Sequence, residues 1–264
     1  NHDGADLTDT IIVASIDQEQ NLITMVSIPR DLYVDNKEIG SGRINQIYYN
    51  AKRHYSSSLR AVDQLKQEVE KIMGVPIHYW ARIDFQGFTD IIDALGGVEI
   101  QVPNDIYDPD YPAEGGRPGF QISAGLQTLD GATALKYARS RKSTSDFDRA
   151  NRQQLIIQAM KDKALKTEIL FSADKIRGIL EAVSANIDTN ITVKEILTLG
   201  SSLKDIDTEK ITHRLLHDDP SRCGGFLYPP ERRFYGGAFV LMPAGGFEFI
   251  HLYSELNFNQ PQIG

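Results

Sequence analysis

DTIIVASIDQEQNLITMVSIPRD, residues 9 to 31, carries the reading of the fold. Two β-rich runs, residues 10 to 16 and 22 to 28, flank the polar DQEQN, which predicts a hairpin or two neighbouring strands. Both runs are apolar on both faces, so both are expected inside a sheet covered on each side. The second run stops at Pro29, and the next two residues are Arg30 and Asp31. A solvated turn tolerates such charges. A strand tip that binds an anion uses them. These two readings have to be separated by the rest of the chain.

Downstream, Leu59, Val62, Leu65, Val69 and Ile72 recur at helical spacing, and Gly74 is a fit stop. Residues 76 to 84 alternate as a strand, with Ile77, Tyr79, Ala81 and Ile83 on one side. FQGFTDIIDALGG reads as a helix closed by Gly96 and Gly97, followed by the short strand VEIQV. Residues 103 to 125 are loop-like and long for a compact domain. Helices are expected at about 130–139, 147–166, 172–185 and 193–203, the last with a Thr192/Glu195 capping box. Strands near 211–216 and 238–242 and a final helix complete the pattern. One α/β domain with helices on both sheet faces is the economical reading.

The chain has 264 residues, 41% hydrophobic and 24% charged, enough for a sizeable core. Its net charge of -8 and pI of about 5.3 argue against a nucleic-acid coat, which needs a basic face. The single cysteine, Cys223, builds neither a disulfide framework nor a zinc cluster. No run approaches the ~18 apolar residues of a membrane span, and no signal peptide is visible. The abrupt start at Asn1 leaves room for an upstream anchor.

An acidic chain nevertheless gathers Arg139, Arg141, Arg149 and Arg152 in KYARSRKSTSDFDRANRQQ, residues 136 to 154. Asp146 is placed to cap the second helix. Arg149 and Gln153, four apart, share a face of it. Arginine's planar fork matches phosphate oxygens bidentately. A surface helix with solvated charges has the same composition, so both readings stand at this level.

DTIIVASID…MVSIPRD, GRIN, YWARIDFQGFTDIIDALGGVEIQVP and LDGATALKYARSR…DFDRANRQQ together resemble the LytR-CpsA-Psr family, in order over about residues 8 to 160. The resemblance implies a single-domain α/β/α sandwich with a central mixed β-sheet over residues 1–264, its first strand lying upstream of residue 1. It implies a magnesium-dependent phosphotransferase, with manganese as the alternative ion. The donor is a polyprenyl-pyrophosphate-linked glycan of the teichoic acid or capsular class, and the acceptor is peptidoglycan or another wall polymer. The place is the outer face of a bacterial membrane, with an N-terminal anchor outside this chain and no nucleic-acid partner.

Motif by motif, Arg30 in SIPRD takes the position of the family's pyrophosphate-binding arginine. Arg139 and Arg141 take its R-x-R pair, and Arg149 and Gln153 its D-x-x-R-x-x-R-Q helix. Asp9 in T-D-T takes the carboxylate that helps to hold magnesium. Asp9, Arg30 and Arg149 are thereby the catalytic candidates. All five phosphate-binding residues are expected to converge on one pocket. The helices at 59–73 and 147–166 offer apolar faces for a lipid tunnel.

Two departures bear on this. The second acidic residue near the metal belongs to a strand absent here, and Asp3 and Asp6 replace it poorly by spacing. Leu7 stands where the family often has an arginine. A non-enzymatic lipid- or glycan-binding module and a lipid-pyrophosphate pyrophosphatase are the competing functions. Asp31 could bind metal but is expected to pair with an arginine, and Asn45 either to touch substrate or to cap a helix. His213 and His217 lack a third ligand type nearby. Asp218 and Asp219 read as turn residues, and Trp80 as core or rim.

Overall fold

The computed structural model describes residues 7–112, 119–140, 146–204, 206 and 210–258, without the side chains of 146 and 147. The chain forms two compact units, Asn1–His78 with Lys210–Gly264, and Tyr79–Glu209.

In chain order the first unit begins with β1 (Ile11–Asp17), β2 (Leu22–Ile28), β3 (Tyr33–Val34) and β4 (Gly42–Arg43). Helices α1 (Ile47–Tyr55) and α2 (Ser58–Met73) follow. The second unit holds β5 (Ala81–Ile83), α3 (Phe85–Ala94), β6 (Val98–Val102), β7 (Ile106–Asp108), β8 (Phe120–Ile122) and β9 (Gly125–Leu129). It continues with α4 (Gly131–Arg139), α5 (Asp146–Lys166), α6 (Ala173–Ala182), β10 (Ile187–Thr189) and α7 (Val193–Leu203). The chain then returns to the first unit through β11 (Ile211–Leu215), β12 (Leu227–Tyr228), β13 (Met242–Pro243) and α8 (Glu248–Phe258).

The first unit is built on a mixed sheet in the order β1-β2-β11. Of the two expected arrangements, β1 and β2 form the antiparallel hairpin, Ile11 opposite Ile28 and Asp17 opposite Leu22. Its turn is set locally: Asp17 Oδ1 accepts from the Glu19 and Gln20 amides at 2.9 and 3.0 Å, and Asn21 takes a left-handed φ of 51°. β11 runs parallel to β2 on its other side. The expectation of burial on both faces holds for β2, where Ile23 to Ile28 are all buried. It does not hold for β1, where only Val13 is buried. Among the described residues β1 has a neighbour on one side only, and an edge strand stays half wet.

α2 starts at the Ser57 cap and ends at Gly74, whose left-handed φ of 71° closes the helix. Its apolar face is consumed by the core: Val69, Ile72 and Met73 pack with Val26, Ile28, Ile44, Ile47, Leu216 and Ile250. The Thr192/Glu195 capping box forms as expected, with Thr192 Oγ1 accepting from the Glu195 amide at 3.3 Å.

Two segments differ from the sequence reading. The region 103–125 holds a short antiparallel pair, β7 with β8, whose alternate residues Ile106, Phe120 and Ile122 join the second core. The alternating run 76–84 forms only the three-residue β5, because its partner β10 offers three residues. Ile77 instead donates its amide to Glu70 Oε1 of α2 at 2.7 Å. The second unit has its own core, in which Ile92, Val98, Ile100, Tyr137 and Ile156 meet. The architecture is mixed α/β, as the alternation of runs and helical periods predicts.

Candidate functional site

Pro29 ends β2, and the turn places Arg30 at its tip. The Leu32 amide closes on Pro29 O at 3.0 Å, and Asn45 N bonds Arg30 O at 3.3 Å. Asn45 is buried in the 3-10 turn Ile44–Gln46, and its carbonyl takes the Thr8 amide at 3.1 Å. The GRIN segment thus clamps the extended residues before β1 to the β2 tip. That clamp carries Asp9 to Arg30: Arg30 Nη1 donates to Asp9 Oδ1 at 3.0 Å.

The pair extends into a chain of alternating charge. Arg30 Nε lies 3.5 Å from Asp31 Oδ2, and Arg43 Nη1 lies 3.3 Å from Asp31 Oδ1. Exposure separates the two carboxylates. The Asp31 side chain is 14% exposed between two guanidiniums, whereas Asp9 is 42% exposed. Asp31 is a structural counter-charge, as its sequence neighbourhood suggests. Asp9 is the carboxylate that incoming solutes reach. Arg43, the arginine of GRIN, was not singled out by sequence; its signal is that motif alone.

In the second unit the arginine cluster sorts into different roles. Asp130 caps α4 by accepting from Thr133 N at 2.8 Å, and these Thr133 hydrogen bonds hold its carboxyl below the usual range. At the other end of α4, the Arg139 guanidinium lies 4.3 Å from the Phe85 ring centre and 5.8 Å from that of Tyr111. Two aromatic faces hold this cation in place. Phe85 is 51% exposed, so the arginine sits on a surface rather than in a core.

The last carbonyls of α4 need donors, and α5 supplies them. Arg152 Nε donates to Tyr137 O at 2.9 Å and Arg152 Nη2 to Ser140 O at 2.5 Å. Gln153 Nε2 lies 3.5 Å from Ala138 O. Arg152 is 4% exposed, and burial lowers its pKa from the usual value, with Tyr137 and Asp148 acting against that shift. It is a latch between α4 and α5, and Ser140 Oγ adds a buried bond to Asp108 Oδ2 at 2.8 Å. Arg149, one turn before Gln153, is half-buried in the first turn of α5. Arg141 and the side chain of Asp146, the expected α5 cap, lie outside the described residues, as do Asp3 and Asp6.

The structure therefore brings Asp9 and Arg30 together in the first unit, and places Arg139, Arg149 and Gln153 in the second. An open, mostly apolar groove of about 550 Å³ lies beside Leu95, Ile169 and Ile179. It borders Thr167, just past the far end of α5, about 25 Å along the helix from Arg149, so it does not open behind that residue.

The donor set can be tested against magnesium. Among the described residues no group of three or more His, Cys, Asp or Glu side chains could hold a metal. Magnesium usually takes one or two carboxylates and completes its octahedron with substrate phosphates and water. Asp9, exposed and next to a phosphate-matching guanidinium, fits that incomplete kind of site and not a protein-only cage. Of the two histidines, His217 Nε2 lies 3.3 Å from Cys223 O, and burial, with Arg214 nearby, lowers the His213 pKa.

A strand-tip arginine, a T-D-T carboxylate and an α4–α5 arginine helix on a mixed α/β scaffold define one class of protein. The chain belongs to the LytR_cpsA_psr family, whose model matches residues 1–228. Among its relatives, the polyisoprenyl-teichoic acid–peptidoglycan teichoic acid transferase TagV of Bacillus subtilis is 33% identical over 234 residues, 85% of this chain and 56% of that protein. An uncharacterized protein of Staphylococcus aureus is 30% identical over 85% of this chain and 52% of its own length. This chain thus spans just over half of those relatives. The crystal structure of B. subtilis TagV matches with a TM-score of 0.70 at 26% identity, over 97% of this chain and 91% of that one. That of B. subtilis TagU matches at 0.66 and 23% identity, over 99% and 96%, a likeness of fold.

Proposed function

We propose that this chain is the catalytic region of a transferase that moves a glycopolymer phosphate from a polyprenyl-pyrophosphate carrier to peptidoglycan. The observation that carries this reading is the Arg30–Asp9 pair at the tip of β2, in a member of a family whose relative TagV is named for that transfer. Arg30, Arg139, Arg141, Arg149 and Gln153 are the donor's pyrophosphate ligands, and its prenyl tail takes an apolar channel. Asp9 would hold magnesium, or manganese in its place, together with pyrophosphate oxygens. The ion supplies charge neutralisation on those oxygens.

The reaction is a phosphoryl transfer. A hydroxyl of the wall glycan attacks the phosphorus nearest the donor sugar, and its proton passes to solvent. The bond from that phosphorus to the bridging oxygen breaks, and polyprenyl phosphate leaves with the electron pair. Catalysis of this kind is mostly positioning and electrostatics. Arg30 and Arg149 act on the charge that spreads over the phosphoryl oxygens. Arg139, braced by Phe85 and Tyr111, is pre-organised for the same task. The lipid carrier places the reaction at the outer face of the membrane. Among the described residues no helix is long and apolar enough to cross one.

The test is turnover of a lipid-linked glycan pyrophosphate with magnesium and peptidoglycan, followed by product analysis. Glycan phosphate joined to the wall polymer is the expected product, lost in Arg149→Ala. Free glycan phosphate alone would mean a pyrophosphatase. Binding without turnover would mean a carrier module.

A further inference from the structure

The segment between β12 and β13 makes an exposed ledge beside the Arg30 cluster. Leu227 pairs with Pro243 and Tyr228 with Met242, so the segment leaves and re-enters at one place. Its return limb is stitched to the β2 tip: Leu241 N donates to Asp31 O at 2.9 Å, and Tyr33 N donates to Leu241 O at 2.8 Å. Val240 and Leu241 are buried, which anchors that limb. Between the limbs a 3-10 turn, Arg232–Tyr235, ends at Gly236 and Gly237 with φ of 61° and 84°. Those left-handed residues turn the chain back, so that Phe239 comes under the Arg232 guanidinium, 5.5 Å from ring centre to carbon.

The ledge has a mixed chemistry. Phe234 is 71% and Phe239 39% exposed. The Arg233 guanidinium lies 4.9 Å from the Phe234 ring centre and pairs with Glu231 at 2.7 Å. Tyr235 meets Tyr33 edge to face at 5.1 Å, which joins the ledge to the strand that follows Arg30 and Asp31. Exposed rings framed by charged hydrogen-bonding groups mark a binding surface more than a fault in packing. A pyranose fits this frame: its C–H face lies on a ring, and its hydroxyls meet guanidinium and carboxylate.

We infer that this ledge is the seat of the acceptor glycan strand of peptidoglycan. The inference rests on the transferase reading above and extends it. Three observations choose the occupant. The ledge is open, which suits a polymer laid across it; a donor sugar is already held by its pyrophosphate. It is continuous with the Arg30 cluster through Asp31 and Tyr33, so a strand seated here brings a hydroxyl toward the phosphate. Arg232, beside the Glu231–Arg233 pair, can meet the stem-peptide carboxylates that the glycan strand carries. A membrane surface fits less well, because Glu231 offsets one of two arginines and the chain carries a net charge of -8, whereas headgroup-binding clusters hold ~4–8 basic residues.

The test compares the wild-type protein with the double variant Phe234→Ala/Phe239→Ala and with Arg233→Glu, which keeps the bulk. Three probes are titrated: a soluble uncrosslinked peptidoglycan glycan strand, geranylgeranyl pyrophosphate, and phosphatidylglycerol vesicles. The expected result is glycan-strand binding weakened by about tenfold or more, as for loss of an interface anchor, with prenyl pyrophosphate binding unchanged. In turnover, the KM for the acceptor rises and kcat stays. Equal glycan binding in all three proteins overturns the inference, as does no glycan binding by the wild type. A loss confined to vesicles, or shared with the prenyl pyrophosphate, also overturns it. Failure of the transferase reading is read separately, as no transfer of glycan phosphate to the strand by the wild type, whether or not it binds prenyl pyrophosphate.

Discussion

Arg30 Nη1 lies 3.0 Å from Asp9 Oδ1, so the guanidinium proposed to bind a pyrophosphate is held by the carboxylate proposed to hold its metal. The two residues are 21 apart in sequence and are joined by the clamp through Asn45. A pyrophosphate arriving at Arg30 competes with Asp9. Once displaced, Asp9 is available to a cation that the phosphate brings.

The first expectation follows from that competition. Without magnesium, Asp9→Ala should bind a prenyl pyrophosphate as tightly as the wild type or up to about fivefold tighter, since a half-exposed pair is worth about 0–1 kcal/mol. With magnesium, the wild type should tighten and Asp9→Ala should not. Calorimetric titration with and without the ion reads both. If magnesium strengthens binding equally in the two proteins, Asp9 is not its ligand.

Arg30→Ala should weaken prenyl pyrophosphate binding by roughly ten- to a hundredfold, the loss of a charge-assisted contact of ~1.5–3 kcal/mol. Folding should be little disturbed, because its neighbour Asp31 keeps Arg43 as a partner at 3.3 Å. Binding titration and thermal unfolding on the same preparation separate the two effects.

Arg149 and Arg152 share one motif but should fail in opposite ways. Arg152 is 4% exposed and caps carbonyls of Tyr137 and Ser140, so Arg152→Ala should cost about 2–4 kcal/mol of stability. Arg149→Ala should leave the unfolding midpoint nearly unchanged and remove turnover. Denaturant melts beside transfer assays decide; equal destabilisation of both variants would refute the division of labour.

Gly131 should not accept even alanine. A Cβ there would lie 2.3 Å from Thr89 O, where α3 and α4 cross, and its amide already donates to Asp93 Oδ1 at 2.7 Å. Gly131→Ala is expected to cost on the order of 1–3 kcal/mol through forced backbone movement, and to lower activity by shifting Arg139. An unchanged melt would show that the helices can part without strain.

Stability should fall on mild acidification partly through His213. Burial, with Arg214 nearby, lowers its pKa in the folded protein, so the unfolded chain takes up the proton first as pH drops. Its contribution is complete above the unfolded value of about 6.5 and declines as pH falls from there toward the folded pKa. His213→Gln should flatten that limb of the profile between about pH 7 and 5. Unfolding free energy against pH in both proteins measures it.

Local chemistry made much of this protein readable in one dimension. The period of 59–73, with Gly74 after it, gives α2 because helix spacing and a left-handed stop are properties of adjacent residues. The Thr192/Glu195 box works the same way for α7. The charge break after Ile28 marks the strand tip, and the ordered motifs identify the family. Arg139 and Arg149 were legible as anion-binding candidates, but their neighbour Arg152 was not legible as a latch.

What the tertiary structure decided are the pairings between distant residues. β1 and β2 have similar apolar runs, yet β2 is buried on both faces and β1 is half wet, because only β2 is flanked on both sides among the described strands. Asp9, Asp31 and Arg43 look equally exposed in sequence. Their order of charges around Arg30, and the greater exposure of Asp9 than of Asp31, arise from GRIN folding back on the β2 tip. Burial and ion pairing depend on atoms brought close by the whole chain, whereas helix period and capping depend on four or five consecutive residues.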